Sequence, residues 1–169
     1  MSPVVHLRKL LSQPPVALGV AEVEVRHIEV PDDVAAWLEL RQRAVAGLTP
    51  APRPWLHDDY RAEMLDKPWW HLERNWVAVP SEAASQIAGT VTLAVREGTN
   101  GGVPVVHWLL VDPAWRRRGI GRLLMSHLEQ AVWDAGWREV QLETHAGWTD
   151  AVSFYHSMGF EPQPRPSPR

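Results

Sequence analysis

A chain of 169 residues falls within the ~50–250 residues of one domain and is long enough to bury a real core. With 45% hydrophobic and 22% charged residues it matches neither a disordered chain nor a membrane span, and a formal net charge of −3 supplies no field to recruit nucleic acid. The absence of cysteine removes disulfides, cysteine-ligated zinc, iron–sulfur clusters and every thiol nucleophile.

Ten tryptophans stand against two tyrosines and two phenylalanines, so large flat aromatics are in demand somewhere. Residues 1–21 contain Pro14 and Pro15 and no clean period, which predicts a weakly ordered arm with at most one short helix. Arg8 and Lys9 interrupt its short apolar run and no small-residue cleavage site follows, so neither a signal peptide nor a membrane span is expected, and the expected setting is cytoplasmic. Val23, Val25, Ile28 and Val30 predict a strand, ended by Pro31. Asp32 and Asp33 then suit the start of a helix through Trp37, Leu38, Leu40 and Val45, with Gly47 as its stop.

Residues 48–76 are irregular and aromatic. Pro50, Pro52, Pro54 and Pro68 break the segment, a short helix is expected over Asp58 to Leu65, and Trp55, Trp69, Trp70 and Trp76 fall within it. A proline-punctuated aromatic stretch is a candidate pocket wall. Three strand-like runs follow, Trp76–Val79, Ile87–Arg96 with Gly89 as a candidate bulge, and Val103–Val111, the last two joined by a glycine-rich turn over 98–102. The third run is apolar on both alternating faces, as in a strand interior to a sheet. After Asp112-Pro113, apolar residues at Ile120, Leu123, Leu124, Leu128, Ala131 and Ala135 mark one helical face, ended by Gly136. Val140, Leu142 and Thr144 alternate as another strand, a helix from Thr149 to Met158 stops at Gly159, and 161–169, with four prolines, forms a tail. The expected organisation is an arm (1–21), one α/β domain (22–160) with a mixed, mostly antiparallel sheet flanked by helices, and the tail (161–169).

Chemistry concentrates where the third run ends. Arg116-Arg117-Arg118-Gly119-Ile120-Gly121-Arg122 opens directly into the long helix. The first turn of a helix offers unpaired N–H donors and the positive end of its dipole, and glycine lets an anion approach the backbone, so a phosphate or pyrophosphate is the expected guest. Arg116, Arg117, Arg118 and Arg122 add positive charge. A Walker loop is excluded because no lysine stands here, and a dinucleotide fingerprint fails at Leu124 and on the distance from the strand to Gly119.

Residues 111–121 resemble motif A of the GCN5-related N-acetyltransferases, R/Q-x-x-G-x-G/A between a strand and a helix. Ala151-Val152-Ser153-Phe154-Tyr155-His156-Ser157-Met158-Gly159-Phe160 is similar to A-x-x-x-Y-x-x-x-G-F of the family's motif B. The order of elements from 23 to 160 agrees as well. The resemblance implies that backbone N–H groups from Arg117 to Arg122, including those of Arg118, Gly119, Ile120 and Gly121, hold the pyrophosphate of acetyl-CoA. It also implies that Leu109, Leu110 and Val111 splay from the neighbouring strand and pair with the pantetheine amides, one N–H there stabilising the oxyanion. Tyr155 then matches the acid that protonates the departing thiolate. Two departures stand out: Trp148 occupies the position where the family often has a pantetheine-contacting Asn, and only nine residues follow Phe160, so that the sheet is either shorter or completed by the arm.

Without cysteine no acyl-cysteine intermediate can form, and direct transfer within a ternary complex is expected. The amine must lose a proton before it attacks. His107, four residues before Val111, is the candidate base, with Glu143 a weaker one, His145 beside it by alternation, and water relay the remaining route. Trp37, Trp133 and Trp137 suit the core, whereas Trp55, Trp69, Trp70, Trp108 and Trp148 fall where an acceptor pocket belongs. The expected activity is acetyl transfer from acetyl-CoA to a primary amine of a small molecule or peptide. The alternative is a non-catalytic acyl-CoA-binding or sensor module. No metal is expected because the histidines lack ligand spacing. Neither nucleic acid nor membrane is an expected partner, and the resemblance allows for a homodimer.

Overall fold

The computed structural model describes residues 3–99 and 101–164. In chain order its elements are β1 (Val4–Leu10), β2 (Val23–His27), α1 (Val34–Val45), α2 (His57–Tyr60), β3 (Asn75–Pro80), β4 (Gly89–Arg96), β5 (Val103–Val111), α3 (Ile120–Asp134), β6 (Glu139–His145), α4 (Thr149–Ser157) and β7 (Glu161–Pro162). The strands form one seven-stranded sheet in the order β2-β3-β4-β5-β6-β1-β7. Every neighbouring pair is antiparallel except β5 and β6, which run parallel because α3 carries the chain back between them. This is the mixed, mostly antiparallel sheet flanked by helices that the sequence predicts.

Period-2 patterning divides the sheet into two apolar faces. On one, Leu7, Val91, Leu93, Val106, Val140 and Leu142 pack under Leu124, Met125 and Leu128 of α3. On the other, Val77, Val79 and Leu110 pack under Trp37 and Leu40 of α1 with Tyr60 and Met64. Gly89, expected as a bulge, instead marks a close helix–strand approach: a Cβ there would stand 2.9 Å from Leu124 Cδ1 and 3.1 Å from the Leu110 carbonyl. The helix expected over 58–65 divides into α2 and a wide turn over Arg61–Leu65.

The arm expected over residues 1–21 is corrected in its first half, where β1 pairs with β6 from Val4↔His145 to Leu10↔Glu139. Lys9 had masked this strand. Its side chain points to the α3 face with Leu7, where its ammonium meets the buried Glu129 carboxylate at 2.8 Å. A charge on the inward parity breaks the apparent alternation until its partner, far along the chain, is known. The sheet is thus completed by the arm and by β7, whose two residues pair with Leu7 and Arg8. The last five residues of the predicted tail, Met1 and Ser2 of the arm, and Asn100 of the turn lie outside the described residues. Among the described residues no helix is long and apolar enough to cross a membrane.

Candidate active site

The parallel pair β5–β6 meets at Val105↔Gln141, and toward their C-terminal ends, Val111 and His145, no further pairing joins them among the described residues. Each strand keeps its other neighbour to the end, β5 through Val111↔Gly89 and β6 through Val4↔His145. The sheet therefore opens as a wedge, bordered by two strand edges whose N–H and C=O groups are available to an extended guest. Leu109, Leu110 and Val111 lie along one of these edges.

A bulge in β5 turns two successive side chains to one face beside the wedge. Thr90 pairs with Leu110 and Thr92 with His107, so β5 spends one residue more than β4 between these pairings. Trp108 takes the strain at φ +49°, a backbone region that costs a bulky residue ~1–3 kcal/mol. The extra residue resets the alternation: Val106 faces α3, His107 and Trp108 both face the α1 side, Leu109 returns to the α3 face, and Leu110 packs on the α1 side. Trp108 is held there edge-on against Trp37 at 6.3 Å and Trp55 at 5.0 Å.

Four of the five tryptophans expected at the acceptor side, Trp55, Trp69, Trp70 and Trp108, gather on the α1 face. Trp69 packs edge-on against His107 with ring centroids 5.0 Å apart. Trp148 sits at the β6–α4 junction, and its Nε1 donates to the Pro50 carbonyl at 3.1 Å, tying that junction to the 48–56 segment. Burial among these rings, together with the positive charges of Arg96 and Lys67, pulls the His107 pKa down to about 4 against a weaker opposing pull from Glu143. The imidazole is therefore neutral at pH 7, but it is a poor base. Glu143 is committed elsewhere, accepting from Arg96 at 3.1 Å and lying 3.4 Å from His6 Nδ1. His145 stacks obliquely on Trp148 at 5.3 Å.

One residue of this face gave no signal in the sequence. Arg41, on α1 one turn beyond Trp37, is only 2% exposed. Its guanidinium lies 4.2 Å from the Trp55 ring centroid and 4.8 Å from that of Trp108. Removing a guanidinium from water costs several kcal/mol, and cation–π contacts return roughly 1–2 kcal/mol each. An isolated arginine in a helix reads as surface; only the tertiary fold shows that the 48–56 segment covers it.

Beyond the C-terminal end of β5, Arg117 (φ +63°) and Gly119 (φ +82°) both adopt left-handed conformations immediately before α3. Such a turn brings successive N–H groups to one side. Leu123 donates to the Gly119 carbonyl, and the N–H groups of Ile120, Gly121 and Arg122 precede the first intrahelical bond. The arginine side chains are differently employed from the expected clamp. Arg116 turns to the carbonyls of Ala44 (3.0 Å) and Val111 (3.3 Å), fastening the C-terminal turn of α1 to the end of β5. Arg118 pairs with Glu22 at 2.8 Å, and Arg122 donates to Ser157 Oγ at 3.0 Å. Arg117 is exposed. The cradle is therefore mostly backbone. Gly121, expected to admit an anion, also has a packing duty, since a Cβ there would stand 3.1 Å from the Phe154 ring.

Tyr155 belongs to the α3-side core, between Phe154 and Phe160 at ring distances of 5.6 and 5.7 Å. Burial pushes its pKa up, so the hydroxyl keeps its proton. His107 and Tyr155 thus lie on opposite faces of the sheet with the wedge between them, an arrangement suited to two reactants that arrive from opposite sides.

Comparison with known proteins agrees with this geometry. The model of the acetyltransferase (GNAT) family matches residues 32–160. The mycothiol acetyltransferase of Thermobispora bispora is 32% identical over 163 residues, covering 92% of this chain and 52% of that protein. That of Thermobifida fusca is 32% identical over 145 residues, 83% of this chain and 44% of that protein. The chain thus spans about half the length of these relatives. A GCN5-related N-acetyltransferase from Sphaerobacter thermophilus shares the fold with a TM-score of 0.75 at 22% identity, over 95% of this chain and 48% of that one.

Proposed function

Because the chain belongs to the acetyltransferase (GNAT) family, we propose that it transfers the acetyl group of acetyl-CoA directly to a primary amine of a small molecule or peptide. The observation that carries this reading is the meeting of three features at one end of the sheet: the wedge between β5 and β6, the β5 bulge beside it, and the left-handed turn at the start of α3. An extended amide-bearing arm ending in a pyrophosphate fits that combination. The strand edge answers the amides and the α3 turn answers the anion.

Acetyl-CoA supplies the acetyl group as a thioester. Backbone N–H groups from Arg117 to Arg122 would hold its pyrophosphate, with Arg117 adding charge from solvent. The edge of Leu109, Leu110 and Val111 would pair with the pantetheine amides, and an N–H at the bulge would point at the thioester oxygen and favour the negative charge that develops there. Tyr155, kept protonated by burial, would donate a hydrogen bond to the departing sulfur. The acceptor amine would enter from the α1 side over Trp69 and Trp108.

His107 is too acidic at about 4 to strip an alkylammonium of pKa ~10.4. Its neutral ring instead accepts a hydrogen bond from the incoming amine, whose proton leaves through water. The apolar rings assist by disfavouring the charged amine.

Thiol release from acetyl-CoA across polyamine, aminoglycoside, amino-acid and peptide amines tests the proposal. Turnover with at least one class is expected, and Tyr155→Phe is expected to lose most of it while keeping acetyl-CoA affinity. If acetyl-CoA neither binds nor raises the melting temperature, the reading is refuted.

A further inference from the structure

The α1 face contains more buried hydrogen-bond donors than acceptors. Arg41 Nε and Trp108 Nε1 are buried without a hydrogen-bond partner among the described residues, whereas the buried Trp70 indole N–H is directed to the Tyr60 hydroxyl. Both unpartnered groups can only donate, and they belong to side chains of one cluster around Trp37 and Trp55. Arg41 is the extreme case. Its Nη1 donates to the Arg53 carbonyl at 3.0 Å, and no carboxylate pairs with it among the described residues. The nearby Asp59 is occupied by Arg53 at 2.8 Å and by the Leu56 N–H.

A guanidinium recognises a carboxylate through two parallel N–H groups, and the Nε–Nη2 edge is one such fork. In Arg41 that edge carries none of the described hydrogen bonds, and the plane of the group is fixed between Trp55 and Trp108. Trp108 is adjacent in the bulge to His107, where the acceptor amine is placed by the proposed reaction. A cation and a neighbouring indole donor, both lacking acceptors, are complemented by an acceptor-only group of negative charge.

Resting on the acetyltransferase reading, we propose that Arg41 is a specificity-determining residue that takes a carboxylate of the acceptor, so that the acceptor bears a carboxylate as well as the reacting amine. The 48–56 segment is its cover. The cover is held by the packing of Trp55 on Trp37 and Trp108, by the Arg53–Asp59 pair, and by two single hydrogen bonds, Arg41 to the Arg53 carbonyl and Trp148 to the Pro50 carbonyl; an entering acceptor exchanges the hydrogen bond on Arg41 for its own while Trp55 stays in place.

The test compares acceptors that differ only in carboxylate against carboxamide: 6-aminohexanoate with 6-aminohexanamide, lysine with lysinamide, and phenylalanine with phenylalaninamide. In the best pair, kcat/KM is expected to favour the carboxylate at least tenfold in the wild type and to fall within twofold in Arg41→Met, with the carboxamide rate retained. Comparing enzyme with variant cancels each amine's own acidity. Arg41→Lys keeps the buried charge without the planar fork and serves if Arg41→Met does not fold; its preference is expected below that of the wild type. An unchanged preference in whichever variant folds, or an equal loss for both acceptors, overturns the assignment. A separate readout needs no turnover: hexanoate is expected to raise the wild-type melting temperature more than hexanamide does, and the variant to respond to both alike. If hexanoate discriminates but no amine is acetylated, the transferase reading fails and the carboxylate site stands; if amines are acetylated without discrimination, the site fails alone.

Discussion

Replacing His107 by phenylalanine retains an aromatic ring against Trp69 and Trp108 while removing the titrating group. In the folded protein His107 titrates near 4, against ~6.5 in an unfolded chain. Between these values the unfolded state holds a proton that the folded state refuses, so acid favours unfolding. The stabilisation is complete above ~6.5, is lost as pH falls toward the folded value, and changes no further below it. At 1.36 kcal/mol per unit the whole effect is about 3 kcal/mol. Urea unfolding followed by tryptophan fluorescence, repeated from about pH 7 to about pH 4, measures it as the difference between wild type and His107→Phe; the subtraction removes every other titrating group, including His127, which burial also holds low. The wild type is expected to lose about 3 kcal/mol relative to the variant over that interval. A difference independent of pH would refute the burial argument. The same pair of proteins tests the proposed chemistry: if the amine loses its proton through water, kcat/KM should rise with pH alike in both proteins, and a limb lost in the variant would restore His107 as the base.

Gly121→Ala places a methyl group 3.1 Å from the Phe154 ring, and overpacking of this kind, net of the helix-propensity gain, is expected to destabilise by ~1 kcal/mol. In a Phe154→Leu background the sign should reverse, which a double-mutant cycle of denaturation curves checks. Gly119→Ala meets no obstacle nearer than Val20 Cγ2 at 3.7 Å but forces a side chain into the left-handed region at φ +82°. It is expected to cost ~1–2 kcal/mol of stability and to weaken acetyl-CoA binding measured by calorimetry. Trp148→Phe removes the donor to the Pro50 carbonyl, worth ~1 kcal/mol. Limited proteolysis within 48–56 should then be faster at unchanged acetyl-CoA affinity.

Local signals in the sequence determined the elements and the lip of the site. Period-2 runs, the glycine stops and the unbroken 3.6-residue stripe of α3 are short-range features, and the arginine–glycine turn is contiguous, so a tight turn opening α3 was legible without knowledge of distant neighbours. The wedge was legible only through resemblance. What depended on partners far apart in the chain was decided by tertiary structure. Lys9 is an inward strand residue because Glu129 waits on α3. The arginine run looks like a clamp, yet Arg116, Arg118 and Arg122 spend their side chains on Ala44, Glu22 and Ser157. His107 and Trp108 share a face only because one extra residue in β5 resets the pleat, a count that requires the register of β4. Arg41 shows the same limit most sharply: a helix pattern specifies which side of α1 is buried, but whether a buried charge finds a partner is set by the loop folded over it. The sequence alone therefore carried the arginine–glycine turn and the aromatic inventory, while the donor-rich, acceptor-poor character of the α1 face came from packing.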